Sequence, residues 1–127
     1  MDSNISKFLK EEVKRQNETI NLIPSENLVS KNVLWALGSV LTNKYAEGKS
    51  HQRYYFGNEI ADKIEDEAIS LALKVFGLSE KEWGVNVQPY SGSIANLAAY
   101  LGVLNMGDKI FAMSLEHGGH LTHGHKV

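Results

Sequence analysis

Apolar residues recur at helical steps in some stretches of this chain and alternate, or run on, in others. Ile5, Phe8, Leu9 and Val13 are spaced three and four apart among charged side chains, which predicts an amphipathic helix over residues 4–16. The following TINLIPSEN is an apolar run that ends at Pro24, which lacks an amide donor. Ser25, Glu26 and Asn27 are turn-formers, so an extended segment running into a polar loop is expected. Ser30 is placed to cap a helix through KNVLWALGSVL, broken at Gly38. TNKYAEGKSHQRYYFGNE has no periodicity, and a polar, aromatic-bearing loop of that length inside a domain tends to be functional.

The clearest helical period spans residues 58–76. Ile60, Ile64, Ala68, Leu71, Ala72 and Val75 share one face, Asn58 is the expected cap and Gly77 the expected terminator. DKIEDEAIS, within the same helix, reads as a solvated face without chemistry. WGVNVQP alternates like a strand, SGSIANLAAYLGVL opens on small hydroxyl residues and continues as an apolar helix, and GDKIFAMSL reads as turn plus strand. Strand, helix and strand in that order predict a βαβ unit and hence a mostly parallel sheet with flanking helices, an α/β fold. A parallel sheet is normally covered on both faces. One such unit, with other helices left needing something to pack on and a glycine- and histidine-rich close, reads as a piece of a larger fold. We expect an N-terminal helical arm with a loop over residues 1–57, and the first part of a larger domain over 58–127.

Composition narrows the partners. A hydrophobic share of 43% with 22% charged residues suits a folded soluble protein and argues against disorder. A net charge of −2 argues against nucleic acid or an anionic membrane held by bulk charge. With no cysteine, disulfides and thiolate metal sites are excluded, which suits a reducing compartment. MDSNISKFLKEEVKRQ has no uninterrupted apolar core of the kind a secretory signal needs, and no stretch approaches the roughly 20 apolar residues of a membrane span. A cytoplasmic location is the expectation.

Candidate chemistry lies in four places. In QPYSGSIAN a strand hands over to a helix. Free amides at the helix mouth, its dipole and the hydroxyls of Ser91 and Ser93 would cradle an anion, with Gly92 allowing close approach. The same residues could be an ordinary capped helix. His117, His120, His123 and His125 invite a metal reading, but Gly118, Gly119 and Gly124 argue against a continuous helix that would hold them on one face, and Glu116 is the only nearby carboxylate; a solvated polar loop is the plainer reading. Glu47, between tyrosines, could move protons or be a surface charge. Ser25 could touch a ligand carboxylate or simply make the turn.

The order of the blocks says more than any one of them. LIPSEN, ALGSVLTNKYAEG, RYY, WGVNVQPYSGSIANLAAY and GGHLTHG, from Ile20 to the last residue, closely resemble the N-terminal third of serine hydroxymethyltransferase. That family is one of pyridoxal-phosphate enzymes with the aspartate-aminotransferase-like, fold-type I architecture. The resemblance implies pyridoxal 5'-phosphate as cofactor and tetrahydrofolate as co-substrate in the interconversion of serine and glycine. By the same resemblance Ser91, Gly92 and Ser93 hold the cofactor phosphate and His120 stacks on the cofactor ring. Glu47 is the acid/base carboxylate. Tyr45 and Tyr55 reach into a neighbouring subunit's site, which implies a homo-oligomer. Tyr54 lies near folate, Ser25 touches the amino-acid substrate, and Leu115, Gly119 and Leu121 contact the pterin. No metal is implied.

The chain departs from that pattern where Lys49-Ser50-His51-Gln52 stands in place of a Pro-Gly turn, and at Phe56-Gly57, where Gly-Gly is usual. Phe56 resists backbone conformations that glycine accepts, so the local path at Tyr55 is expected to differ. No lysine here lies in the context of the family's Schiff-base lysine, and the pyridine-nitrogen aspartate and substrate-carboxylate arginine have no counterpart. The expectation is an N-terminal segment inactive alone. The competing readings are a non-catalytic remnant or interaction fragment, and a histidine-loop metal protein.

Overall fold

The computed structural model describes residues 3–125. Met1, Asp2, Lys126 and Val127, at the outer ends of the two expected domains and of the resemblance, lie outside the described residues. The chain forms two compact units, one through Lys44 and one from Tyr45.

The first unit contains α1 (Ser3–Glu18) and α2 (Lys31–Leu37), followed by a 3-10 turn over Val40–Asn43. In α1 the exposed face is laced by Lys7–Glu11 and Lys14–Glu18 pairs, and by Arg15 gripping Glu12 at 2.7 Å. Ser30 caps α2 as expected, its hydroxyl accepting from the Val33 amide, and Gly38 ends the helix. Ser25 sits inside a turn closed by the Glu26 amide on the Ile23 carbonyl at 3.2 Å.

The second unit contains β1 (Gly48–Lys49), β2 (Gln52–Arg53), α3 (Glu59–Phe76), α4 (Gly92–Val103) and 3-10 turns at Leu115–His117 and Leu121–His123. β1 and β2 form an antiparallel hairpin with Gly48 opposite Arg53. The loop expected to be irregular is therefore folded. α3 ends in a Schellman motif: Gly77 is left-handed (φ 65°), and the Leu78 amide returns to the Leu73 carbonyl at 2.9 Å.

Two expectations are corrected. Asn58 occupies the cap position of α3, but its side chain caps nothing; its Nδ2 donates instead to the Tyr55 carbonyl at 2.9 Å. The acidic stripe of α3 is not simply solvated, because Asp62 is buried and Glu65 half-buried beneath the hairpin. The apolar face at Ile60, Ile64, Leu71 and Val75 is the exposed one. At Phe56 φ is not positive, and the left-handed conformation falls on Gly57 (φ 75°).

The parallel sheet is the largest difference. Among the described residues the hairpin is the only sheet, and neither 83–88 nor 108–114 carries a ladder. Strands in parallel sheets are held by neighbours on both edges and helices on both faces. Here Val87, Ile110 and Phe111 are exposed, so nothing drives the pairing.

Candidate functional site

Glu47 is exposed and stands immediately before β1, with the backbone on both sides of it fixed. Its backbone carbonyl accepts from the Tyr54 amide at 3.2 Å, which extends the hairpin by one pair. The Arg53 Nη1 donates to the carbonyls on either side of it, Ala46 and Gly48, at 2.7 Å each. The same guanidinium pairs with Asp62 Oδ1 at 2.7 Å and Glu65 at 2.8 Å, and its side chain is only 4% exposed. A buried arginine with its donors directed at two carboxylates and two carbonyls fixes the loop onto α3. Arg53 beside Asp62 is the main reason that this carboxyl lies below its usual range.

Tyr45 donates its hydroxyl to Glu47 Oε2 at 3.2 Å, and its ring meets Tyr55 edge to face at 5.2 Å. The bond to the carboxylate raises the Tyr45 hydroxyl above its ordinary value, because ionising it would place two negative charges together. Tyr54 is exposed. Gln88 Nε2 donates to the Gly48 carbonyl at 2.8 Å, which joins the segment leading to Ser91 to the same hairpin.

At α4 the capped helix start expected of QPYSGSIAN forms, without the strand expected before it. Ser91 is extended (φ −154°) and its hydroxyl accepts from the Ile94 amide, while Gly92 begins the helix with open space beside its Cα. With the Ser91 hydroxyl engaged by the Ile94 amide, this is a side-chain-capped helix start. Along the same helix Asn96 Nδ2 donates to Thr122 Oγ1 at 2.8 Å. Thr122 also meets His120 Nδ1 through its hydroxyl at 2.8 Å and its backbone amide at 3.2 Å. The amide can only donate, so Nδ1 carries the lone pair and a neutral His120 ring holds its proton at Nε2. Tyr100 bonds to His123 Nδ1, and the His120 and His123 rings meet at 5.7 Å. Two side chains of α4 thus anchor the turn that presents the exposed His120 imidazole.

Leu115 and Leu121 begin the two 3-10 turns, and Leu115 lines a cleft with Met113, Ser114, His120 and His123. Gly119 lies between the turns with its amide on the Ser114 carbonyl at 2.9 Å. A Cβ there would fall 1.9 Å from the Met113 carbonyl oxygen. Among the described residues no three histidine, aspartate or glutamate side chains converge as a metal ion needs.

The second unit therefore carries Glu47, Tyr45, Tyr54, Tyr55, Ser91, Gly92, Ser93, Leu115, Gly119, His120 and Leu121. Ser25 belongs to the other unit. Sequence reasoning missed Arg53, Gln88, Asn96 and Thr122. Only Arg53 left a signal: the acids at 62, 65 and 66 share one face of α3 and needed a cation.

Comparison with known proteins gives a family match over residues 1–127, to the model described as Serine hydroxymethyltransferase. The chain is 53% identical over 127 residues to a protein of Borrelia duttonii (strain Ly) named serine hydroxymethyltransferase, covering all of this chain and 30% of that protein. Proteins of the same name from Acidothermus cellulolyticus and Desulfotalea psychrophila are 53% and 54% identical over 126 residues, covering 99% of this chain and 29% of theirs. The chain spans about 30% of the length of the relatives it matches.

Proposed function

The chain belongs to the serine hydroxymethyltransferase family, and from that membership we propose that it serves as the N-terminal part of a pyridoxal-phosphate-dependent transferase. That enzyme interconverts serine and glycine with tetrahydrofolate as the one-carbon carrier, and the remaining length of the family supplies the groups this chain lacks. Residues 1–57 are its arm and active-site loop, and 58–127 open its cofactor domain, where a parallel sheet forms once neighbouring strands are present. It works as a homo-oligomer in the cytoplasm. Among the described residues no helix is long and apolar enough to cross a membrane.

One observation carries the reading: Asn96, Thr122 and His120 form a continuous hydrogen-bonded line from the anion-binding helix to an open imidazole face. A cofactor that is both a phosphate ester and a flat aromatic ring needs those two features on one rigid support. When bound, pyridoxal phosphate supplies an electron sink for the α-carbon of the amino acid. Ser91, Gly92 and Ser93 hold the phosphate, and His120 lies on the ring with Nδ1 locked by Thr122. Glu47 takes and returns protons near the hydroxymethyl group, and the Tyr45 hydroxyl orients its carboxylate. Tyr45 and Tyr55 face the neighbouring subunit's site and Tyr54 lies near folate. Leu115, Gly119 and Leu121 border the pterin, and Ser25 donates to the substrate carboxylate.

Two substitutions in the full-length enzyme test this. Ser93→Ala loosens cofactor retention about tenfold in dialysis, the loss expected for one hydrogen bond to a charged group; unchanged retention would leave Ser93 without a phosphate role. Glu47→Gln lowers folate-dependent glycine formation about 100-fold with retention unaltered, as for a missing acid/base group. Equal loss of both would sink the proton-transfer role.

A further inference from the structure

His51 is the one non-glycine residue among the described residues with a positive φ, 60°. That left-handed conformation presses a Cβ against its own backbone, so it persists only where surroundings impose it. Beyond the hairpin pairing of Lys49 with Gln52, the side-chain contacts at this turn come from α3, chiefly from one carboxylate. Asp66 on α3 accepts from the Ser50 hydroxyl at 2.7 Å with one oxygen, and meets His51 Nε2 at 2.8 Å with the other. His51 Nδ1 lies 3.8 Å from Asp62, the acid already paired with Arg53. The charged groups around His51 are thus Asp62 and Asp66 from α3, with Arg53 from β2 and its second partner Glu65 close behind. Ser50 first, and His51 after it, hold the Asp66 carboxyl below its ordinary value.

We propose that Asp66 clamps the Ser50–His51 turn in its left-handed conformation and is thereby a positioning residue for Glu47. Only two residues of strand separate the turn from Glu47, and the register is closed by Gly48 opposite Arg53 and by the Tyr54 amide on the Glu47 carbonyl. With so short a ladder, a turn that relaxes its left-handed residue shifts the register at the carboxylate. The link to catalysis rests on the role of Glu47 proposed above; the clamp itself does not.

The test uses the full-length enzyme and two substitutions, alone and together. Asp66→Ala removes the grip and leaves His51 strained. Hydrogen exchange in the peptide spanning residues 46–55 rises about fivefold, and kcat with folate falls by a similar factor at unchanged cofactor retention. Adding His51→Gly, which accepts the same φ without strain, returns both to within about twofold of the parent. Exchange unchanged by Asp66→Ala would overturn the clamp, as would a rise that His51→Gly does not reverse. If exchange rises and is rescued while Glu47→Gln leaves turnover intact, the clamp stands and the proton-transfer role of Glu47 falls.

Discussion

Expressed without further polypeptide, the 127-residue chain gives no cooperative unfolding transition. The reason is the lack of a core: among the described residues Leu73, at 7% exposure, is the sole buried apolar side chain. Burying one leucine contributes about 2 kcal/mol. Ordering each backbone residue costs about 1 kcal/mol or more, so local helices have little to hold them together. The apolar residues exist but face outward: Phe8 and Leu9 on α1, Trp35 on α2 at 78% exposure, Leu97 and Leu101 on α4. Circular dichroism is expected to show helix that fades gradually on heating, because α1 and α3 are long enough to persist partly alone. Calorimetry is expected to show no peak near the ~0.7 kcal/mol per residue of a folded domain. Joining the chain to the remainder of a family member brings the peak back. A sharp transition from the chain alone would show that these faces find cover among themselves.

Gly119→Ala in the full-length enzyme weakens cofactor retention by roughly one to two orders of magnitude, the 1–3 kcal/mol typical of an overpacked site. The added methyl would sit 1.9 Å from the Met113 carbonyl oxygen and 2.8 Å from both the Met113 carbonyl carbon and the Ser114 oxygen. All three are backbone atoms, so no rotamer change relieves the clash. The bond from the Gly119 amide to Ser114 breaks, and the next residue, His120, moves with it. Gly102→Ala is the control, since a Cβ there meets nothing within 4 Å on α4. It is expected to be neutral or slightly stabilising, as alanine favours helix over glycine. Equal effects at both positions, read by equilibrium dialysis, would mean that Gly119 is not needed for close approach.

The capped helix start at Ser91 and the exposed imidazole at position 120 were legible because each is announced by its own short segment. A serine before an apolar helix and a histidine between glycines carry their meaning locally. What holds them was not legible: Asn96 and Thr122 are 26 residues apart, and neither differs in the sequence from an ordinary helix or loop residue. The same division runs through the segment that folds into the hairpin. Glu47 and its tyrosines stood out by composition, whereas Gln88 reaches the hairpin from 40 residues away.

The chain by itself determined its local elements. Ser30 and Ser91 start helices, and Gly38 and Gly77 end them, because capping satisfies backbone groups within a few residues of the cap. Tertiary structure alone decided which face of α3 is covered. The apolar period suggested Ile60 and Ile64, but Arg53 draws Asp62 and Glu65 beneath the hairpin, since a desolvated guanidinium must be paired. It likewise decided the fate of Asn58, whose amide is taken by the Tyr55 carbonyl, and of the two expected strands. A helix closes its hydrogen bonds inside one segment, so sequence can specify it; a strand borrows them from a neighbour, and a neighbour is a property of the fold.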